Sequence, residues 1–408
     1  MTPDRAHGRT HDRPFAGLKV CDIAQGISAP YCGMMLAQYG ADVVKIEGLA
    51  GDWIRNMGGR IKGEHSAQSL AMNRGKRSIA LDLKHPKGLE IARRLARRAD
   101  VVTQNFRPGV IDRLGLGYAA VAKENPDVIY LSVSGFGTKG PLADRPVTDQ
   151  IMQGFSGLQS ITKDRDGVPL GVGTAIIDYI TGIYAYQAVA TALYARAMGA
   201  GGRHVEINML QAAIAVQAGQ FIRQHTQGKQ PPAVGVPVGV FHTKDGFISL
   251  SSNNPKHFGE VCDLLGRDDL KSNPDYDTHQ KRIWKSREIN EAFQRSLMTE
   301  TAAEWEARFS ALGLMCTRVN GYDDLLRHPQ IEAEHLLTWA NQTDLGAIPV
   351  PNLPGVDPAL PDDPRANSPR IGQHTHAVLA ELGYDDAAMD GLARDGVIPP
   401  KAASAAAD

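Results

Sequence analysis

From Leu18 onward, short runs of Val, Ile and Leu take turns with helix-period segments, and this alternation limits the fold more than any other feature of the chain. Leu18-Lys-Val-Cys-Asp-Ile23 reads as a buried strand, and Tyr31 to Tyr39 as a short helix entered through Pro30. Asp42 to Ile46 and Ser78 to Leu83 are further strands. Between them residues 48–73 run polar and Gly-rich without a convincing period. Pro86 to Ala99 predicts a basic amphipathic helix with Leu89, Ile91, Ala92 and Leu95 inward. Val101-Val102 and Val128 to Val133 continue the strands, and His204 to Ile207 adds one more. Such alternation predicts an α/β domain with a largely parallel sheet.

Composition punctuates the rest. Residues 149–225 are mostly helical in pattern, and Gln, Gly, Pro and Val take over near 226–240, as in a linker. Residues 241–327 predict a small α+β unit with a strand at Phe247–Ser251. Residues 340–370 are Pro-rich and read as irregular, and an amphipathic helix spans Gln373 to Gly383. A net charge of −1 gives no footprint for nucleic acid or an acidic membrane. Cys21, Cys32, Cys262 and Cys316 form no CxxC pair, which predicts free thiols and a reducing compartment. With no run long enough to span a bilayer and a polar first 13 residues, the expected location is cytoplasmic. The Ala-rich end from Pro399 reads as a loose tail.

Residues 171–211 hold the first candidate chemistry. Gly171-Val-Gly173-Thr174 precedes a long helical pattern that begins about Asp178 and is stopped by Gly199, Gly201 and Gly202. A carboxylate in a first helical turn sits among free N–H groups at the positive end of the macrodipole, which favours an ionised, low-pKa group. Such a group is an oxygen nucleophile toward an activated acyl carbon. It is equally an N-cap, a common task for Asp. These residues alone leave both readings open.

Other motifs sort by context. Asn105-Phe-Arg-Pro-Gly109 follows a strand in the position where open α/β sheets bind ligands, with Arg113 a turn further on. An aromatic face and two guanidinium groups suit an adenine ring and phosphates; solvated arginines are the alternative. Gly135-Phe-Gly-Thr-Lys-Gly140 fits the dinucleotide spacing, but Pro141, Asp144 and Pro146 spell a loop where that motif needs a helix. Asn73-Arg-Gly-Lys-Arg77 and Lys84 read as a basic, solvated surface. His374 and His376 lack a third ligand, so no metal site is expected. Neither GxSxG nor HExxH occurs.

Taken in order, these segments resemble the class III CoA-transferases, the group that includes carnitine and bile-acid CoA-transferases. The resemblance is carried by Gly17-Leu-Lys-Val with Asp22, Gly40-Ala-Asp-Val-Val-Lys-Ile-Glu47, Gly51-Asp52 and Asn73-Arg-Gly-Lys-Arg-Ser78. Leu81-Asp-Leu-Lys84, Asn105-Phe-Arg-Pro-Gly109, Ser134-Gly-Phe-Gly137, Asp178 with Thr181-Gly182, and Ile371-Gly-Gln-His-Thr375 continue it. It implies a large Rossmann-like CoA-binding domain from residues 14–212 and 371–400, a small α+β domain at 241–327, and linkers at 213–240 and 328–370. It further implies a homodimer of two interlocked ring-like chains.

By the same resemblance Asp178 is the nucleophile that carries CoA as an aspartyl thioester between an acyl-CoA donor and a free carboxylic acid. The implied CoA contacts are Ile27, Ser28, Leu81, Lys84, Asn105, Phe106, Arg107, Arg113 and Thr148. Coenzyme A is then a substrate, with no prosthetic group and no metal. Two departures argue against formyl and oxalate as the acyl pair. Ile27 and Gly48 stand where oxalate-specific members carry a Gln and a basic residue, and residues 233–240 lack those enzymes' all-Gly loop. Racemases of 2-methylacyl-CoA resemble the chain too, but they use a His where Thr148 stands, and a threonine cannot exchange an α-proton at neutral pH.

Overall fold

The computed structural model describes residues 13–164, 166–228, 233–252 and 254–401. The start of the chain, the end of its tail and residues 229–232 of the expected first linker lie outside them. The chain divides into two compact units, one of residues 1–218 and 332–408, the other of 219–331.

The larger unit is built on six strands: β1 (Lys19–Asp22), β2 (Asp42–Glu47), β3 (Arg77–Ala80), β4 (Val101–Gln104), β5 (Ile129–Ser134) and β6 (Arg203–Asn208). All neighbours pair in parallel, in the order β3-β2-β1-β4-β5-β6. Alternation along each strand sorts side chains onto two faces. Cys21, Val44, Ile79, Val102 and Tyr130 pack under the helix Pro86–Arg97 and the C-terminal helices. Val20, Val43, Val101, Ile129 and Leu131 face the helices Ser28–Gln38 and Ile176–Ala195.

The exposed edge of β3 is closed by the end of the chain. His374 Nδ1 accepts the Ser78 N–H at 3.1 Å, and Thr375 Oγ1 accepts that of Ala80 at 3.1 Å. Edge groups that would otherwise template a further strand are thereby used. His374 thus has a structural task at the sheet edge.

Three sequence expectations need correction. Residues 48–73 hold a 3-10 turn, Trp53–Asn56, and a helix, Ala67–Asn73. Ser66 and Ser69 close that helix's capping box, a signal that polar composition hid. Residues 340–370 are not irregular throughout, because β10 (Leu337–Gln342) and β11 (Gly346–Pro351) form an antiparallel hairpin. The basic segment 73–77 is not a solvated surface: Asn73, Arg74 and Lys76 are buried, and Arg77 pairs with Asp42 and Glu381.

Within the smaller unit β7 (Val238–His242), β8 (Phe247–Ser251) and β9 (Met315–Arg318) form an antiparallel sheet in that order. Phe258, Phe293, Trp305 and Phe309 fill the core beneath it.

Charge is buried along β1 and β2 and in the turn that leads into β3. Lys76 Nζ lies 2.8 Å from Asp22 Oδ2, Lys45 Nζ 2.9 Å from Asp52 Oδ2, and Arg55 Nη2 2.6 Å from Glu47 Oε1. Burial alone would raise the Asp22 carboxyl. The ammonium groups of Lys76 and Lys45, with hydrogen bonds from Lys76 and Thr103, outweigh it and hold the group below its ordinary value. Asp22 therefore stabilises the fold above its unfolded pKa, and that contribution is lost as pH falls through the folded one. Replacing Lys76 by Met strands a buried carboxylate and should cost about 3–5 kcal/mol in urea denaturation. The double variant Lys76→Met with Asp22→Asn should recover part of that loss; full additivity of the two costs would show that the pair is not coupled.

Candidate active site

Strand order reverses between β1 and β4, and in open α/β sheets ligands bind outside the carboxyl ends of the strands at that point. A cleft of about 920 Å³ opens there. Its walls come from the loops that follow β1, β4 and β5, from residues 143–150, and from the segment leading into the helix Ile176–Ala195. Asn105, after β4, ties two of these loops together. Its Oδ1 accepts the Gln25 N–H at 2.9 Å, and its Nδ2 donates to the Gln25 carbonyl at 2.7 Å.

Asp178 is the third residue of the helix Ile176–Ala195 and faces this cleft. It does not cap that helix. The N-cap residue is Ala175, which has no side chain for the task. The capping is done from another element: Asp149 Oδ1 accepts the N–H of Ile177 at 2.6 Å and of Asp178 at 3.1 Å. Asp149 opens the helix Asp149–Phe155, and its Oδ2 accepts from Gln153 Nε2 at 2.5 Å. Gln153 Oε1 in turn accepts the Val172 N–H at 2.8 Å, fixing the approach to the Asp178 helix.

Asp178 Oδ1 instead accepts a hydrogen bond from the Ser28 hydroxyl. Ser28 opens the helix Ser28–Gln38, so two helices must approach closely for this contact. Gly182 permits it: a Cβ there would come 2.6 Å from the Ser28 carbonyl oxygen and 2.9 Å from Tyr31 Cβ. Gly182 lies one turn beyond Asp178, on the same helix face.

Burial pushes the Asp178 carboxyl up to about 6, against the lowering effect of the Ser28 hydrogen bond and with a smaller upward push from Asp149. The expectation of a low-pKa carboxylate at a helix start is therefore wrong. The dipole's free N–H groups are taken by Asp149, and desolvation decides the balance. At neutral pH the group is still mostly ionised, and more basic than a solvated aspartate.

Of the residues singled out from sequence, Ile27, Ser28, Asn105, Phe106, Arg107, Thr148 and Asp178 line the cleft. Three do not. Leu81 is fully buried in the core beyond β3. Lys84 is exposed in the turn that follows, its backbone N–H bonded to Asp82. Arg113 is exposed at the end of the short helix Val110–Arg113, its guanidinium folded back toward Gly109, next to the cleft-lining Pro108. Sequence reasoning missed Trp53, which stands 54% exposed on the cleft wall. It also missed the Asp149–Gln153 pair, whose i,i+4 spacing on a predicted helix was the available signal. Among the described residues no histidine lines the cleft. No helix opens after Gly140, and the next one starts at Asp149.

The site is thus a largely buried carboxylate at the switch point of a doubly wound parallel sheet, a place where such folds bind ligands. The chain belongs to the CoA-transferase family III, whose model matches residues 15–375. It is 33% identical over 387 residues to the succinate–glutarate CoA-transferase of Agrobacterium fabrum, covering 90% of this chain and 96% of that protein. The mouse succinyl-CoA:glutarate CoA-transferase is 32% identical over 394 residues, covering 95% and 90%. Among solved structures, a CaiB/BaiF family protein from Brucella suis matches with a TM-score of 0.81 and 30% identity, covering 90% of this chain and 99% of that one.

Because the folded pKa of Asp178 is raised, ionising it weakens the fold: its contribution is most favourable below the unfolded value and is lost as pH rises through about 6. Asp178→Asn removes that cost. The variant should gain roughly 2–3 kcal/mol over the native protein at pH 8 and nothing at pH 4, by thermal or urea unfolding. An equal effect at both pH values would contradict the burial argument.

Proposed function

We propose that the enzyme moves CoA between an acyl-CoA donor and a free carboxylate, with Asp178 as the covalent carrier. The observation behind this is a largely buried carboxylate, relieved of capping by Asp149, that opens into the cleft. An Asp178 oxygen attacks the donor thioester carbonyl, and CoA leaves as the thiolate, giving a mixed anhydride. The thiolate attacks the aspartyl carbonyl, the donor acid leaves as its carboxylate, and Asp178 holds CoA as a thioester. The acceptor carboxylate attacks that thioester, and the expelled thiolate takes the acceptor acyl group from the second anhydride. Asp178 is regenerated. Covalent catalysis divides one difficult exchange into steps that keep the thioester energy.

On this reading the adenine and phosphates of CoA lie along Phe106, Arg107 and Arg113, with Ile27, Ser28, Asn105 and Thr148 nearer the reacting end. Leu81, sealed in the core, has no surface to offer CoA, and the exposed Lys84 stands beyond β3, outside the cleft. Short dicarboxylates are the substrate class we infer. The names of the Agrobacterium and mouse relatives support it, as does the cationic Arg145 on the cleft wall. The racemase alternative lacks its second base, since Thr148 occupies that position and no histidine among the described residues lines the cleft.

We also assign the active form to a homodimer of interlocked chains, each contributing a large domain from both chain ends. Its support in the larger unit is a set of exposed apolar side chains on successive helices: Ile183, Tyr194, Met198, Ile214 and Val216 are each 41–72% exposed.

Asp178→Ala should lower turnover by more than about a thousandfold with the fold intact. Incubating the native enzyme with succinyl-CoA and hydroxylamine should leave a hydroxamate on Asp178, as the thioester yields to the amine and releases CoA. Glutarate added in place of hydroxylamine should give glutaryl-CoA by mass spectrometry. An active Asp178→Ala enzyme, or a hydroxamate elsewhere in the chain, would remove the assignment.

A further inference from the structure

The Asp149 carboxylate has no place in the chemical steps above, yet it is buried within one peptide of the nucleophile. A second carboxylate beside the nucleophile disfavours ionisation of both, an arrangement held here by the hydrogen bonds that Asp149 accepts. Its geometry defines the action. The first N–H groups of a helix are unpaired and carry the positive end of the macrodipole. Left free, those of Ile177 and Asp178 would draw the Asp178 side chain back onto its own helix and stabilise it as a weakly basic anion. Asp149 takes both with one oxygen, and Gln153 anchors its other oxygen.

We propose that Asp149 is a positioning residue of the reaction: it occupies the helix terminus so that the Asp178 carboxylate stays turned into the cleft, away from its own helix, and strongly nucleophilic. This rests on the reading of Asp178 as the nucleophile. The other groups facing Asp178 do not duplicate the effect. From the helix Ser28–Gln38 come the Ser28 hydroxyl and the Tyr31 phenol, and from its own helix the Tyr179 phenol. Both phenols are pushed up by burial and are neutral at working pH. Gln68, on the helix Ala67–Asn73, is uncharged and accepts from the Tyr179 hydroxyl at 3.1 Å. The remaining charges on the cleft wall are Arg107, Asp144 and Arg145, all exposed to solvent.

The test is the pH dependence of kcat/KM in Asp149→Asn, which keeps an oxygen for the two N–H groups and removes the charge. The acid limb should move down by about one pH unit. At pH 8 kcat should fall about tenfold, while KM for the acyl-CoA changes by less than about threefold. Ser28→Ala, which removes the donor to Asp178, should move the limb the other way. A lowered kcat with the limb unmoved would reduce Asp149 to a structural cap and overturn the proposal. Where Asp149→Asn does not fold, the double variant with Gln153→Glu restores the anchoring bond with reversed polarity and places the charge further from Asp178. Its limb must still move down, by less than about one unit, or the proposal fails. Hydroxylamine trapping in the native enzyme separates the two readings. No label on Asp178 means that the nucleophile assignment has failed; a label with an unmoved limb in the variant means that only this inference has.

Discussion

Three buried ion pairs, along β1 and β2 and in the turn into β3, fix the loops that shape the cleft. Asp52, paired with Lys45, also accepts the Gly26 N–H through both oxygens, at 3.2 and 3.1 Å, and so shapes the loop that delivers Ile27 and Ser28 to the cleft. Gly26 takes a left-handed φ of 77°, and the Trp53 ring lies where its Cβ would be. No other residue type fits both demands. Lys76, paired with Asp22, also donates to the Pro30 carbonyl at 2.8 Å, fixing the first turn of the helix that carries Ser28. Buried pairs of this kind add little net stability compared with an apolar core, and breaking one is severe. What they provide here is a fixed geometry for loops that would otherwise move.

That geometry serves a carboxylate kept where it is least comfortable. Asp178 lies, largely buried, where two helices that Gly182 allows to touch meet the cleft, with Ser28 as its hydrogen-bond donor and the acid Asp149 beside it. Burial and the neighbouring acid raise its basicity at the expense of folding free energy, and the Ser28 hydrogen bond offsets part of that effect. The long apolar helix Ile176–Ala195, packed against β5 and the helix Ser28–Gln38, supplies the rigidity that such a group needs.

Much of this was legible in the chain. The six strands stood out because each is a short apolar run between helical periods, and a parallel sheet follows from that alternation. The ordered motifs from Gly17 to Thr375 carried the family. Asp178 was visible as a carboxylate at a helix start, but its environment was not. Local sequence places a helix dipole beside it, whereas its burial against the helix Ser28–Gln38 and the capping by Asp149 are tertiary facts from other parts of the chain. The basic run at 73–77 misled for the same reason, since Lys76 meets its partner Asp22 only after the sheet has formed. Ser66 and Asp52, caps of short elements inside a polar stretch, were readable signals that composition masked. The hairpin Leu337–Pro351 was hidden because its second strand contains Pro349 and Pro351, residues that discount a strand unless it lies at an edge.

The central claim is that an Asp178 oxygen enters the bond being made. It is tested most directly by a single turnover with an acceptor dicarboxylate labelled in both carboxylates with heavy oxygen, followed by mass analysis of the peptide that contains residue 178. If the acceptor passes through an anhydride on Asp178, one heavy oxygen is left on that side chain, and a later turnover hands it to the released donor acid. New acyl-CoA formed while Asp178 stays unlabelled would mean that CoA passes between donor and acceptor without the carboxylate, and the account of this site would be wrong.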